Sequence, residues 1–521
     1  MECHPFISFL PIMTLSLITF RSIFWLSLSF LTFLSLATAK KPMNLLLITV
    51  DDMSCDSVGV YGCELEGTTP TMDRLASQSL RFEHAHVTVG NCNPCRNVMF
   101  SGLISHNNKV EGFYKVTDPG WPHMVDLLQE AGYYAGIHGK VTHSSPYQPY
   151  GWDDDLTISP SGQKAHIKDA KAYGESTSRG IEIAKKSGKP FFLSINISDP
   201  HKPFWSQVRG GGEDPYVPSR IYTAEEVHVP GFLFEDPEVR EELALYYSSV
   251  RRADDCLNEV LKALRKSGQW ENTMIVFLSD HGMPLPFAKT QLYHHSTRTP
   301  LMVRLPGTTK AGKLESRHMV SVLDLLPTVL DSLGVSKPKR LDGRSFLPLL
   351  RGEKQENRDY VIKEYNENAG RSRDPIRGIQ TKTHLFLFNP WSNGERVFAT
   401  ATNGTVTCKR MIQLAEDDER MNERLELCRY RVPEELYHVK RDPDCLENLI
   451  HRPNHEKTKN KLMELLEEWM VQTKDPLLEC FRNRDEPEFV EAYIQKLEEE
   501  ANARRIKEKP SQKPKKEKKK S

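Results

Sequence analysis

Four short apolar runs punctuate the chain, and each ends in a polar cluster. Residues 44–50 run into Asp51-Asp52. Residues 132–137 run into His138-Gly139-Lys140, with His143 close behind. Residues 191–197 lead through Ser198-Asp199-Pro200 to His201, and residues 274–279 end at Asp280-His281. Near-continuous apolar runs of this length suit strands covered on both faces, as in a parallel sheet packed between helices. The intervening segments supply amphipathic helices, among them residues 243–264 with Leu257, Val260, Leu261 and Leu264 on one side. The alternation predicts an α/β fold, a large doubly wound mixed sheet sandwiched by helices. In such sheets ligands bind beyond the carboxyl ends of the strands, so the four polar clusters are expected to meet there.

Read singly, each cluster has a plain alternative. Asp51-Asp52 is costly at a strand end unless a cation or a turn compensates it, and a helix N-cap or Asx turn would do so. Asp254-Asp255 reads as a solvated or capping pair, and His138 as a structural strand-end residue. Asn91-Cys92-Asn93-Pro94-Cys95-Arg96, closed by Ser101-Gly102, admits a disulfide partner, a redox C-x-x-C pair or half a zinc site. The apolar residues after it predict a buried helix with Cys92 at its start, where free N–H groups favour an anion.

The same segment resembles the C-x-P-x-R signature of the sulfatase family, with Cys92, Pro94 and Arg96 at the fixed positions. The resemblance runs through roughly residues 43–480, and its motifs fall in the family's order. It takes in Thr69-Pro70 and the segment after it, Pro200-His201-Lys202-Pro203-Phe204, Lys289 with Tyr293 and Pro300-Leu301, and residues 321–328. His143 stands three residues after Lys140, as in the iduronate-sulfatase branch. Arg429-Tyr430-Arg431 and Thr473-Lys474-Asp475-Pro476 are similar to the heparan N-sulfatase (sulfamidase) branch. That branch has Arg where this chain has Lys289 and Asn where it has His281. Cys95 also departs from the family's usual small or hydroxyl residue, and could pair with Cys92 before maturation.

The resemblance implies a sulfatase of the alkaline phosphatase superfamily, hydrolysing sulfate esters or N-sulfate of a sulfated glycan. It implies that a maturation enzyme converts Cys92 to formylglycine. Asp51, Asp52, Asp280 and His281, with the modified Cys92, would hold one divalent cation. An oxygen-rich set suits Ca²⁺, with Mg²⁺ or Mn²⁺ also admitted. Arg96, Lys140 and Lys289 would offset charge on the sulfate, His201 or Lys289 would protonate the leaving atom, and His143 would take the proton that releases inorganic sulfate. A phosphate or phosphonate monoester hydrolase of the same superfamily and a non-catalytic glycan-binding pseudo-sulfatase are the alternatives.

The termini differ from the body. Residues 6–39 are almost wholly apolar or hydroxylated; Arg21, the apolar run 23–36 and Ala37-Thr38-Ala39 read as a secretory signal over residues 1–39. The run is short for a membrane span, so no stable insertion is expected after cleavage, although the total apolar length leaves an uncleaved anchor open. A secreted, periplasmic or lysosomal-type compartment follows. There the eight cysteines other than Cys3 and Cys92 are free to form disulfides, and Asn196-Ile197-Ser198 and Asn403-Gly404-Thr405 are glycosylation sequons, meaningful only in a eukaryotic host. Lys+Arg and Asp+Glu are both 70, so no global charge points to nucleic acid. The expected division is a catalytic domain over 40–360, a smaller C-terminal α+β subdomain with a short antiparallel sheet over 361–485, and a charged, disordered tail over 486–521. Within the subdomain, residues 459–473 predict an amphipathic helix with Leu462, Leu465, Leu466 and Trp469 on one face.

Overall fold

The four apolar runs become neighbouring strands of one eight-stranded sheet. The structure, a computed structural model, describes residues 41–147, 150–208, 210–369 and 373–508. The strands are β1 (Asn44–Asp51), β2 (Leu80–Phe82), β3 (Ala85–His86), β4 (Tyr134–His138), β5 (Asp154–Asp155), β6 (Phe191–Pro200), β7 (Thr273–Ser279), β8 (Leu301–Arg304) and β9 (Lys313–Glu315). The sheet order is β5-β4-β6-β1-β7-β8-β2-β9, while β3 pairs separately with β10 (Val320–Ser321). β4, β6, β1 and β7 are mutually parallel, and β8 is antiparallel to β7. Every residue of β1, β4, β6 and β7 is buried. Because successive side chains point to opposite faces, this means cover on both sides. The sheet is therefore mixed, with a parallel centre whose carboxyl ends share one edge.

The helices that matter for the site are α1 (Cys92–Ser101), α2 (Ala170–Lys186) and α3 (Pro237–Lys266). α2 and α3 pack on each other and on β6. Asp254 of α3 accepts from the Thr71 and Met72 N–H groups at 2.8–3.0 Å. It thereby satisfies the first turn of the helix Pro70–Ala76.

A second sheet follows, in the order β11 (Tyr360–Glu367), β12 (Arg373–Thr381), β13 (Leu385–Phe388), β14 (Glu434–Tyr437), antiparallel throughout. Against it lies α4 (Glu456–Thr473), whose Leu462, Leu466 and Met470 are buried among Ile379, Phe386, Phe388 and Leu436, with Leu465 and Trp469 packed at the edge. The tail expected to be disordered from residue 486 instead forms the helix α5 (Pro487–Glu508), anchored by buried Ile494 and Ala501. The signal expected over residues 1–39 and the lysine-rich end after residue 508 lie outside the described residues. No helix among the described residues is long and apolar enough to cross a membrane. The nine described cysteines are all free, so among them none of the permitted disulfides forms.

One buried ionic chain ties the two sheets together. His106, in the turn after α1, places Nδ1 3.0 Å from Glu364 Oε2 of β11 and Nε2 3.2 Å from the Thr473 carbonyl at the end of α4. Glu364 also faces Arg377, which binds Asp475 at 2.5 and 3.0 Å. Both His106 nitrogens face acceptors, which requires imidazolium. Burial opposes that charge, but Glu364 outweighs it and raises the His106 pKa to about 9. Glu364 would likewise be raised by burial, but Arg377 and His106 hold it down to about 2. The His106 contribution is full below its ordinary value of 6.5 and is lost as pH rises through about 9. The Glu364 contribution is full above 4.5 and is lost as pH falls through about 2. The difference in unfolding free energy between the unaltered protein and His106→Gln, measured by denaturant titration, is expected to be full between pH 4.5 and 6.5 and to shrink by roughly 3 kcal/mol as pH rises through about 9.

Candidate active site

The site begins with two polar side chains inside strands. Thr49 of β1 and Asn196 of β6 are paired in register, and the Thr49 hydroxyl donates to Asn196 Oδ1 at 2.8 Å. Arg96, one turn into α1, reaches this pair from the helix. Its Nη1 donates to Thr49 Oγ1 at 2.9 Å and Asn196 Oδ1 at 2.7 Å, Nε donates to Asp280 Oδ2 at 3.0 Å, and Nη2 donates to Asp51 Oδ2 at 3.2 Å. One fully buried guanidinium thus joins α1 to the ends of β1, β6 and β7.

Adjacent strand residues point to opposite faces, yet Asp51 and Asp52 both serve this centre. The strand register slips after Val50, and Asp52 takes a left-handed φ of 67°, which turns its carboxylate back. Aspartate tolerates that conformation better than most residues. The Asp52 N–H donates to Asp280 Oδ1 at 3.2 Å. Beyond β4, Gly139 (φ 73°) and Lys140 (φ 51°) make a second left-handed turn. A Cβ on Gly139 would lie 2.6 Å from the Asn196 carbonyl oxygen, so only glycine lets this turn close. Lys140 Nζ then sits 2.6 Å from Asp51 Oδ2. Lys289 Nζ donates to both oxygens of Asp52 at 2.7 Å.

Three buried carboxylates are therefore matched by three cations, Arg96, Lys140 and Lys289. Burial would raise the Asp51 carboxyl, but Lys140, His201, Arg96 and Lys289 together hold it well below the usual range. The same contest lowers Asp52, with Lys289 as its main partner. Lys289 would be lowered by burial, and Asp52 instead raises it.

Cys92 opens α1, with Asn91 as its cap. Its Sγ lies 3.2 Å from His281 Nε2 and 3.7 Å from Asp51 Oδ1. Burial and then Asp51 push its pKa up, so it rests as a thiol. Cys95 points into the apolar core and joins neither cluster of potential ligands, which speaks against a zinc half-site. Those clusters are Asp51, Asp52, Cys92 and His201, and Asp51, Cys92, Asp280 and His281. His281 Nδ1 faces the Gly282 carbonyl at 3.0 Å, which can only accept, so Nδ1 carries a proton and Nε2 is the nitrogen turned to the cluster. Nε2 lies 3.2 Å from Asp52 Oδ1 and 3.7 Å from Asp280 Oδ1. Carboxylate oxygens and an imidazole nitrogen thus gather in two overlapping groups that share Asp51 and Cys92, and a divalent cation suits this donor set.

His201 stands at the mouth, its side chain 34% exposed, with Nε2 3.9 Å from Asp52 Oδ2. The His143 side chain makes no hydrogen bond or ion pair with this group, although its backbone N–H donates to the Lys140 carbonyl at 3.0 Å. It lines a neighbouring cavity of about 690 Å³ with Asn93 and Phe113, and its buried Nδ1 has no hydrogen-bond partner. Burial, then Lys140, lowers its pKa to about 3. His138 lies apart, bonded through Nδ1 to Ser176 Oγ at 2.8 Å and tilted against the Tyr173 ring, centroids 4.4 Å apart.

Thr49 and Asn196 escaped the sequence reading, although polar residues inside apolar strands are the signal that marks them. Asn196 was read as a sequon, and the structure corrects this. The side chain is fully buried, its amide donating to the His138 and Gly139 carbonyls at 3.1 and 3.0 Å. A glycan has no access to it. Asn196→Ala should leave Arg96 Nη1 short of a buried acceptor and lower stability by about 1–3 kcal/mol, read by thermal unfolding. Peptide mapping of protein made in a glycosylating host should find residue 196 unmodified.

A family model described as sulfatase matches residues 43–335, and one described as N-sulphoglucosamine sulphohydrolase, C-terminal, matches residues 280–393. Human N-sulphoglucosamine sulphohydrolase is 29% identical over 475 residues, spanning 84% of this chain and 91% of that protein. An ulvan-active sulfatase of Formosa agariphila is 27% identical over 447 residues, spanning 85% and 83%. A protein solved in complex with its substrate D-glucosamine-2-N,6-O-disulfate superposes with a TM-score of 0.62 at 20% identity, covering 84% of this chain and 99% of that one.

Proposed function

The chain belongs to the sulfatase family, and from that premise we propose that it is an exported, formylglycine-dependent enzyme that removes sulfate from a sulfated glycan. The observation that carries the reading is Cys92 at the first position of α1, its Sγ 3.2 Å from His281 Nε2 and 3.7 Å from Asp51 Oδ1 within a buried, charge-matched cluster. Export rests on the apolar segment before residue 40.

Asp51, Asp52, Asp280 and His281 would hold one divalent cation, most simply Ca²⁺ given the oxygen-rich set. The cation, when bound, supplies charge against a sulfate oxygen. Conversion of Cys92 to formylglycine supplies a hydrated aldehyde as nucleophile in place of a thiol that burial keeps protonated. Arg96 spends its donors on Asp51, Asp280, Thr49 and Asn196, so we assign it to orienting the carboxylates rather than meeting sulfate. Lys140, which lines the adjoining cavity, and Lys289 beside Asp52 offset charge on the sulfate. His201 Nδ1 donates to the Lys202 carbonyl at 2.6 Å, which leaves Nε2 as an acceptor that orients the leaving side. Lys289 Nζ, kept protonated beside Asp52, is the donor for the departing atom. His143 is neutral across the working range and offers Nδ1 as the base.

The C-terminal family match and the human relative favour an N-sulfated amino sugar, whereas Lys289 and His281 depart from the sulfamidase pattern. We therefore assign the class as glycans carrying N- or O-sulfate. Protein co-produced with a formylglycine-generating enzyme is expected to show the thiol-to-aldehyde mass decrease on the Cys92 peptide and to release inorganic sulfate. Cys92→Ala should abolish release, and chelation should suppress it until Ca²⁺ is restored. Turnover by protein whose Cys92 remains a thiol would sink the mechanism. Faster turnover of a phosphate analogue than of its sulfate ester would transfer the chain to phosphoester chemistry. Releasing sulfate from matched N-sulfated and 6-O-sulfated glucosamine separates the two linkages.

A further inference from the structure

A cavity of about 750 Å³ opens beside the cluster and shares Lys140 and His201 with it. That size lies within the range of small-molecule sites, about 300–1,000 Å³. Part of the lining belongs to a closed set of ion pairs. Lys168 Nζ lies 2.5 Å from Asp199 Oδ1, and Arg252 binds Asp199 Oδ2 at 2.6 Å and Asp214 Oδ2 at 2.8 Å. These charges satisfy one another and are fixed. His166 and Tyr216, also in the lining, stack face to face, ring centroids 4.3 Å apart and planes within 10°, and present a flat aromatic wall.

Lys202 breaks the pattern of satisfied charge. It lines the cavity next to His201, is partly buried, and makes no ion pair or side-chain hydrogen bond with any described residue. Of the nearest acids, Asp52 is taken by Lys289 and Glu242 caps the segment Val406-Thr407 through both its oxygens. A half-buried lysine that makes no ion pair among the described residues, one residue from a site residue, is poised for an anion that arrives with a ligand.

We propose that this cavity receives the part of the glycan beyond the scissile sulfate, and that Lys202 pairs there with a second acidic substituent, a sulfate or a uronate carboxylate, while the His166–Tyr216 wall packs on the sugar face. The inference rests on the sulfatase reading and adds to it that the preferred substrate carries at least two acidic groups. Lys202 is a specificity residue: it touches the substrate away from the reacting sulfur.

The test is equilibrium binding by calorimetry to Cys92→Ala protein, which cannot turn substrate over. Three probes are used: glucosamine N-sulfate, glucosamine 2-N,6-O-disulfate, and a disaccharide of N-sulfated glucosamine linked to a uronate. The disulfate and the disaccharide carry the second charge as sulfate or as carboxylate, so they separate its two sources. Adding Lys202→Ala should weaken at least one doubly charged probe about tenfold, as for loss of one charge-assisted contact. It should change the singly charged probe less than twofold, and Lys202→Arg should restore the difference. Tyr216→Ala should weaken all three probes alike. A Lys202→Ala effect equal on all three, or absent from all, overturns the proposal. If that variant unfolds, Lys202→Gln is read the same way. Sulfate release from the same probes by matured protein with Cys92 intact decides the sulfatase reading separately.

Discussion

The buried guanidinium of Arg96 is the interaction on which the rest of the site depends. It bonds to groups on β1, β6 and β7 at once, so the three strand ends cannot shift independently of α1. A fully buried cation is costly unless every donor is met. Here two carboxylates, a hydroxyl and an amide oxygen meet it, and the same contacts hold Asp51 and Asp280 in place. Removing one partner would leave charge buried and uncompensated, which is why so polar a knot persists at the centre of an apolar sheet.

Much of this arrangement was legible in the chain, because the features that carry it are local. Apolar runs marked β1, β4, β6 and β7, and the abrupt polar residues after them marked where a parallel sheet gathers ligands. The unread parts depend on neighbours distant in sequence. Asn196 and Thr49 look unremarkable until strand register makes them partners. His143, three residues beyond Lys140, lines a neighbouring cavity together with Asn93, the residue after Cys92. Helix α5 has a thin apolar stripe, with Ile494 and Ala501 buried, and its charge suggested a solvated tail.

The second sheet is more than an appendage. His106 lies a few residues after α1, yet both its nitrogens are engaged by the C-terminal half, at Glu364 and Thr473. Arg377 and Asp475 extend the same chain of charges. The apolar core that contains Leu45 also contains Leu387, Tyr437 and Ile494. The helix bearing Cys92 is thus braced from one end by the strand edge and from the other by the last third of the sequence.

The burial of Cys92 also sets an order of events in the life of the chain. Its side chain is 3% exposed, and its polar neighbours include His281, which follows it by nearly two hundred residues. Any enzyme that alters Cys92 must reach it before that later segment docks. The window closes when β7 pairs with β1 and brings His281 against the thiol. A fully folded molecule with an unaltered thiol has missed it, and only unfolding would reopen the opportunity.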